Sequence, residues 1–297
     1  MGMDWNMEAQ RMEQEQHSPI AARLWLGNML RDLREEAELT GAKVAKELGV
    51  HPPRISNIEK GRSVPSKLEL AKLAEIFSVP KDLLPVLHEL ASQSRKKSWT
   101  TTYEDVLPEK YEKYLGLEEA AHSLKDWHTH MICGLLQTSE HSRALLTENN
   151  LYAAPHETDR LVELRMRRQQ VLDRSPKPLQ LWAIMEEHVL RRPVGGAEVH
   201  RRQLQHLLNM QEHPHITIQI TPTSLGAHAG LDGPFSLLEI GDSYPTIVYI
   251  ESRSGNLYKE DIKDISLHKS LYDQIQGAAL SPVGSARLIA KIMKEAA

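Results

Sequence analysis

"HPPRISNIEKG", residues His51 to Gly61, decides how the first third of this chain is read. In its right half Ile55 and Ile58 fall three apart, on one face of a short helix, and Gly61 supplies an exit. Its left half places two prolines where a helix should present side chains. With His51 as N-cap, Pro52 and Pro53 occupy the first two helical positions. The N–H groups there have no intrahelical acceptor, so proline is tolerated and its fixed φ suits a helix start. Val50, before the cap, is placed to staple onto Ile55.

Working outward, Leu26, Met29, Leu30, Leu33 and Ala37 recur at helical steps, and Leu39-Thr40-Gly41 breaks the run. Thr40 then caps a short helix with Val44, Ala45 and Leu48 inside, closed by Gly49 in a left-handed exit. Further amphipathic segments begin at Ser66 and after Pro80. Five short helices, the second and third separated by a tight Gly turn, make a helix-turn-helix domain at residues 20–94. A polar tail, residues 1–19, precedes it. Residues 18–97 hold 14 Lys/Arg against 10 Asp/Glu, in a chain of formal net charge -4. A basic module in an acidic protein carries the sign expected for nucleic acid, whereas binding along the whole length is excluded.

The stretch from Leu30 to Val79 resembles the DNA-binding domain of the phage-repressor and Cro-like regulators, the XRE family. The resemblance rests on Leu-Gly-Val, four variable residues, Ile-Ser, then Ile-Glu-x-Gly-x-x-x-Pro-Ser. It implies base-edge contacts from positions matching Pro52, Pro53, Arg54 and Asn57. Arg54 can pair with guanine and Asn57 with adenine through two hydrogen bonds each, while Pro53 offers a thymine methyl only apolar contact. Arg54 serves equally well as a phosphate contact, and Asn57 as a solvated helix residue. Lys43, Ser56, Lys60 and Arg62 are expected at the DNA backbone, which fixes register without reading sequence. The family often has Gln just after the second-helix cap; Gly41 stands there. Glu59 is implied to pair with Arg34 as a structural ion pair.

Residues 95–109 lose apolar periodicity and read as a linker. Beyond it, residues 110–297 are expected to form an α+β domain with a mostly antiparallel sheet. Leu117–Trp127, Gln137–Asn150, Thr158–Arg174, Val199–Gln211 and Asp261–Leu280 read as helices, with a last one after Pro282. Leu179–Met185, His215–Thr221, Phe235–Ile240 and Thr246–Ser252 read as strands. "YLGLEEAAHSLKDW", "GLLQTSEHSRALL", "RRPVGG" and "LGAHAGLDGPFSLLE" resemble a domain of unknown function that follows an XRE helix-turn-helix in actinobacterial, WhiJ-like, antitoxin-like regulators. That resemblance implies a small acidic protein partner encoded by an adjacent gene.

Within this second domain, Arg191 and Arg192 of "RRPVGG" form a basic corner suited to an acidic partner, or a turn with two exposed arginines. His228 lies in the Gly-rich stretch 226–233, which lacks the pattern of a phosphate-binding loop; the stretch reads as a tight loop, or with His228 as a partner or ligand contact. His128-x-His130 and His213-x-His215 lack the companions of a metal site, so no metal or other cofactor is expected. Cys133 is the single cysteine, expected buried, which excludes an internal disulfide and favours a reducing, cytoplasmic setting. No GxSxG elbow is present, and no enzyme activity is expected. The N-terminus lacks a signal peptide's apolar core, and no run of ~18 apolar residues could span a bilayer. The expected function is a dimeric, sequence-specific transcriptional regulator on an inverted-repeat operator, with a small protein partner or signal received by the second domain. The alternative is a small-molecule or metal sensor with no protein partner.

Overall fold

The computed structural model describes residues 18–149, 154–241, 246–252 and 255–295; the tail at residues 1–17 lies outside them. The chain divides into two units, Met1–Thr101 and Thr102–Ala297. The expected linker holds a 3-10 turn, Trp99–Tyr103, with Ser98 and Thr100 buried.

The first unit has five helices: α1 (Pro19–Glu36), α2 (Gly41–Leu48), α3 (Pro52–Glu59), α4 (Lys67–Ile76) and α5 (Leu84–Gln93). Local sequence starts and stops each of them. Ser18 caps α1 by accepting from the Ala21 N–H, and Thr40 caps α2 by accepting from the Lys43 N–H. Gly49 leaves α2 at φ 77°, a left-handed conformation that L side chains rarely adopt. α3 begins at His51 with both prolines in its first turn. Ser66 and Glu69 form a reciprocal capping box at the start of α4. α1 packs on α3 and α5 and α2 packs on α4, around Leu26, Leu30, Val44, Ile55, Ile58, Leu70 and Leu87.

The second unit is built on a six-stranded sheet in the order β3-β2-β1-β4-β5-β6. Its strands are β1 (Ser123–His128), β2 (Gln180–Glu186), β3 (Ile216–Thr221), β4 (Phe235–Glu239), β5 (Ile247–Ile250) and β6 (Leu257–Lys259). β1 pairs parallel with β2, and β2 with β3; β1–β4, β4–β5 and β5–β6 are antiparallel. The sheet is therefore mixed, which corrects the expectation of a mostly antiparallel one. Helical crossovers carry the chain back between the first three strands, and a crossover returns a strand parallel. These are α7 (Ser139–Asn149) and α8 (Pro155–Arg168) between β1 and β2, then α9 (Glu187–Arg191) and α10 (Ala197–Met210) between β2 and β3.

The central strand also departs from the expectation. Leu117–Trp127 is not one helix: α6 (Glu109–Ala120) ends before Ala121, and β1 follows. Leu124 and Asp126 are buried on one face and Trp127 on the other, so with a carboxylate among its buried positions β1 lacks the apolar–polar alternation that marks a half-buried strand. Trp127, Ile184, Phe235, Leu237 and Val248 form the core with Tyr272 and Ile275 of α11 (Ile262–Ala278). The Tyr272 hydroxyl, inside this apolar layer, donates to the Trp182 carbonyl at 2.7 Å. The last helix, α12 (Pro282–Glu295), packs on α10 and β3. No helix among the described residues is long and apolar enough to cross a membrane.

Candidate functional site

In the first unit the outward part of α3 is the candidate nucleic-acid interface. His51, Pro52 and Pro53 are exposed, Arg54, Ser56 and Asn57 are half-buried, and Lys43, Lys60 and Arg62 are exposed around them. The inner side is held against α1 at close range. Gly27, in mid-α1, faces the carbonyls that end α3: a Cβ there would lie 2.5 Å from Ile58 O and 2.7 Å from Glu59 O. Gly61, at φ 63°, sits on Leu24, where a Cβ would come within 2.8 Å of Cδ2. Arg34 Nε donates to Glu59 Oε1 at 2.6 Å and Nη2 to Oε2 at 3.1 Å, while Nη1 reaches the Leu39 carbonyl at 2.9 Å. One end of α3 is thereby fixed by two glycine contacts and a forked ion pair.

Arg54 is held as well. Its Nε donates to Glu69 Oε1 at 2.9 Å, and Nη2 donates to Glu69 Oε2 at 2.8 Å and to the Val64 carbonyl at 3.1 Å. The edge of the guanidinium that would grip a base pairwise is thus on α4, and Nη1 is its nitrogen without a partner among the described residues. Glu69 Oε2 also accepts from the Ser66 N–H at 2.7 Å. The Arg54 hydrogen bonds, with smaller help from Ser66, outweigh burial and lower the Glu69 pKa to about 2. The Asn57 carbonyl accepts from the Arg62 and Ser63 N–H groups, so the chain turns back against α3 directly behind its outward side.

In the second unit, Arg191 is exposed but pairs with Glu187 at 2.8 Å and Glu295 at 2.9 Å. Arg192 is exposed, with no carboxylate within 4 Å among the described residues. His228, a possible partner or ligand contact by sequence, instead turns inward, its side chain 6% exposed. Its Nδ1 accepts from the Gly230 N–H at 3.1 Å, so Nε2 carries the proton and meets Glu186 Oε1 at 2.8 Å. Trp127 Nε1 donates to Gly230 O, and a Cβ on Gly230 would come within 2.6 Å of the indole. The Gly-rich segment is thus fastened to the sheet through His228 and Trp127.

A cleft of about 910 Å³ opens beside β1, walled by Tyr111, Tyr114, Trp127, Leu161, Leu164, Phe235 and Tyr249, with Arg165 and Arg168 among its polar groups. At one side lies a cluster around the buried Asp126. Oδ2 meets His128 Nε2 at 2.6 Å and accepts from Cys133 Sγ at 3.2 Å, and Oδ1 accepts from Ser236 Oγ at 2.6 Å. Burial would raise the Asp126 pKa, but His128, Ser236 and Cys133 outweigh it and hold it at about 2. Burial, reinforced by the Asp126 charge, pushes the Cys133 thiol well up. Thiol and imidazole thus both bond the same carboxylate, and burial beside that charge disfavours the thiolate. Asp126, His128 and Cys133 are the three residues among those described whose donor atoms lie close enough to hold a metal ion; His130, His213 and His215 do not join them. As they stand, the hydrogen bonds satisfy the carboxylate without one.

Arg168 crosses the floor of the cleft. Its Nε and Nη2 donate to Glu118 at 2.5 and 2.6 Å, and Nη1 donates to the Tyr111 hydroxyl at 2.6 Å. Arg160 pairs with Asp105 and Glu163. Of the arginines on α8, Arg160 and Arg168 are thus paired with carboxylates within the unit, whereas Arg165 bonds the Gln137 amide. The cleft, the Asp126 cluster and the Arg54–Glu69 fork were not anticipated from sequence.

Residues 25–87 match a helix-turn-helix domain family. Residues 111–291 match a family described as a domain of unknown function, DUF5753. No curated protein and no solved structure matches the chain. A braced, outward-facing α3 in a helix-turn-helix makes the first unit a DNA-binding domain, and the match over residues 111–291 places the chain in the DUF5753 family, as a DNA-binding regulator whose second domain has no assigned function.

Proposed function

We propose that this protein is a sequence-specific transcriptional regulator that binds an inverted-repeat operator as a dimer. The observation carrying the reading is the placement of α3: exposed in its first turn, ringed by Lys43, Lys60 and Arg62, and braced from behind by Gly27, Gly61 and Arg34–Glu59. In this reading Asn57 and Pro53 contact base edges, joined by Arg54 through Nη1 or after release from Glu69. Lys43, Ser56, Lys60 and Arg62 contact phosphates. Two such helices would read half-sites about one turn apart, roughly 34–36 Å. The second domain receives a small acidic protein, as in antitoxin-like regulators, with the Arg191–Arg192 corner as its contact and Arg192 as the less committed charge. In this reading it is a binding domain and not an enzyme, which the engagement of the Cys133 thiol and the His128 ring by Asp126 supports.

A gel-shift titration on the protein's own promoter tests the DNA reading. Asn57→Ala should relax sequence preference at a cost of about 1–3 kcal/mol, and Lys60→Ala should weaken all sequences evenly while reducing the salt slope by about one. Equal affinity for promoter and scrambled DNA at physiological salt overturns it. A second reading, a small-molecule-sensing regulator without a protein partner, is favoured by the cleft beside β1. Co-purification of a small acidic protein with the full chain, lost on Arg192→Glu, would decide for the first.

A further inference from the structure

Two arginines one turn apart on α8 face the same cleft in different states. Arg168 is saturated by Glu118 and two tyrosine hydroxyls. Arg165 makes one hydrogen bond, from Nη1 to Gln137 Oε1 at 2.6 Å, and no carboxylate among the described residues lies within 4 Å of it. A guanidinium has five N–H donors and is poorly tolerated away from water without an anion. Burial, and beyond it the Arg168 charge, lowers the Arg165 pKa against the pull of Tyr111 and Glu251. Fold stability alone gives no reason to place that cation there.

Apolar and aromatic side chains make up much of the rest of the lining, with Glu251, Asp126, His130 and Gln137 among its other polar groups. Tyr111 stacks on Tyr114 with centroids 5.5 Å apart, and Tyr114 meets Tyr249 at 4.2 Å. Tyr249 is buried, and its hydroxyl has no hydrogen-bond partner among the described residues. A volume of about 910 Å³ falls in the range of small-molecule sites, roughly 300–1,000 Å³. Rigid aromatic walls with one unneutralised, partly desolvated cation select for charge at one end and apolar surface at the other.

We infer that the cleft is a binding site for a small amphipathic organic anion, whose acidic group pairs with Arg165 and whose flat apolar body lies against Tyr111, Tyr114 and Tyr249. The inference deepens the small-molecule reading above. Its test uses no DNA, so failure here leaves the DNA-binding reading standing and the reverse also holds.

The probe is 1-anilinonaphthalene-8-sulfonate, added to the full chain and followed by fluorescence, with N-phenyl-1-naphthylamine as the uncharged counterpart of the same ring system. The expected result is saturable binding of one anionic probe per chain, tighter than the neutral one. Arg165→Met should weaken the anionic probe by about tenfold or more, the loss of a charge-assisted pair, and leave the neutral probe unchanged. Leu161→Trp, which fills the cleft, should weaken both. The melting temperature of Arg165→Met should hold or rise, because a charge repelled by Arg168 is removed; a purely structural arginine would show a fall. Competition by 1-naphthoate against 1-naphthyl phosphate then separates a carboxylate from a phosphate source. Equal affinity for the two probes, an Arg165→Met ratio unchanged from wild type, or a lowered melting temperature with binding intact would overturn the inference.

Discussion

Gly27 makes the sharpest stability prediction in the first unit. In an exposed helix interior, replacing Gly by Ala stabilises by roughly 1 kcal/mol, because the backbone loses less freedom on folding. Gly27→Ala should do the opposite. The added methyl would meet Ile58 O at 2.5 Å and Glu59 O at 2.7 Å. These are backbone atoms, so no side chain can swing away; α3 or α1 must move. Forcing a carbon into a filled contact costs about 1–3 kcal/mol, and the upper part of that range applies where backbone must shift. Subtracting the helix-propensity gain leaves a net loss of about 1–2 kcal/mol.

For a domain of this size each 1 kcal/mol lowers the melting temperature by about 4–8 °C. Calorimetry on the full chain should show the transition of the first unit falling, with that of the second unchanged. Gly277→Ala is the matched comparison: Gly277 lies in α11, and nothing would lie within 4 Å of its Cβ. That variant should gain stability in the second transition. If Gly27→Ala is as stable as wild type or more so, the close approach of α1 to α3 does not fix the recognition helix.

Other perturbations address separate contacts. Glu69→Gln keeps an acceptor for the capping box but removes the charge that holds Arg54, so DNA should bind more tightly while stability falls by less than about 1 kcal/mol. The folded Glu69 pKa, near 2, lies below the ordinary 4.5, so its contribution is present above 4.5 and lost as pH falls toward 2. The variant should lack that part of the acid limb, and unchanged or weaker DNA binding would show that Arg54 is not withheld by Glu69. His141 is buried, with its pKa pressed down to about 4 by burial and, beyond that, by His200 and Arg165. The unfolded chain takes up this proton near 6.5, so stability should fall as pH drops from about 6.5 to 4. His141→Gln should flatten that limb in a denaturation series, and an identical slope would locate the effect elsewhere. Cys133, buried and beside the Asp126 carboxylate, should resist thiol reagents at neutral pH until the second unit unfolds. Reaction at the rate of a free thiol in the native protein would contradict the buried placement.

Much of the first unit was legible because its signals are local. Thr40, Gly49 and the prolines of α3 each act within a few residues of themselves. Gly27 carried no such signal: it sits in a regular helix, and only the approach of a distant backbone gives it a role. Arg54 and Glu69 are each ordinary on their own helices, and their fork exists only once α3 and α4 are placed. In the second unit, the strands flanked by Pro or Gly were readable, whereas β1 was not. Central strands are covered on both faces, and Ser-Leu-Lys-Asp-Trp-His has neither β-branched residues nor alternation to reveal one. β6 is a three-residue edge strand, too short for any periodicity. The cleft was hidden for a related reason. Arg160, Arg165 and Arg168 look alike in sequence, and what distinguishes them is which carboxylates the fold brings near.

The Arg54–Glu69 fork also bears on what α3 could read in the proposed regulator. A helix that begins with two prolines has lost two side chains able to form polar contacts with bases, which concentrates readout on Arg54 and Asn57. The fork to Glu69 then takes the Nε–Nη2 edge of Arg54 and leaves Nη1. A guanine can recover the paired contact only by displacing a carboxylate already bound through two hydrogen bonds. Exchanging one charge-assisted pair for another yields little net energy, so a guanine at that position is favoured less than an unencumbered arginine would favour it. A phosphate, with its fuller charge, competes better for the freed nitrogens. In the proposed regulator this would bias Arg54 toward positioning, make Asn57 the principal polar reader, and pass much of the discrimination to backbone geometry and to the spacing of the two proposed half-sites.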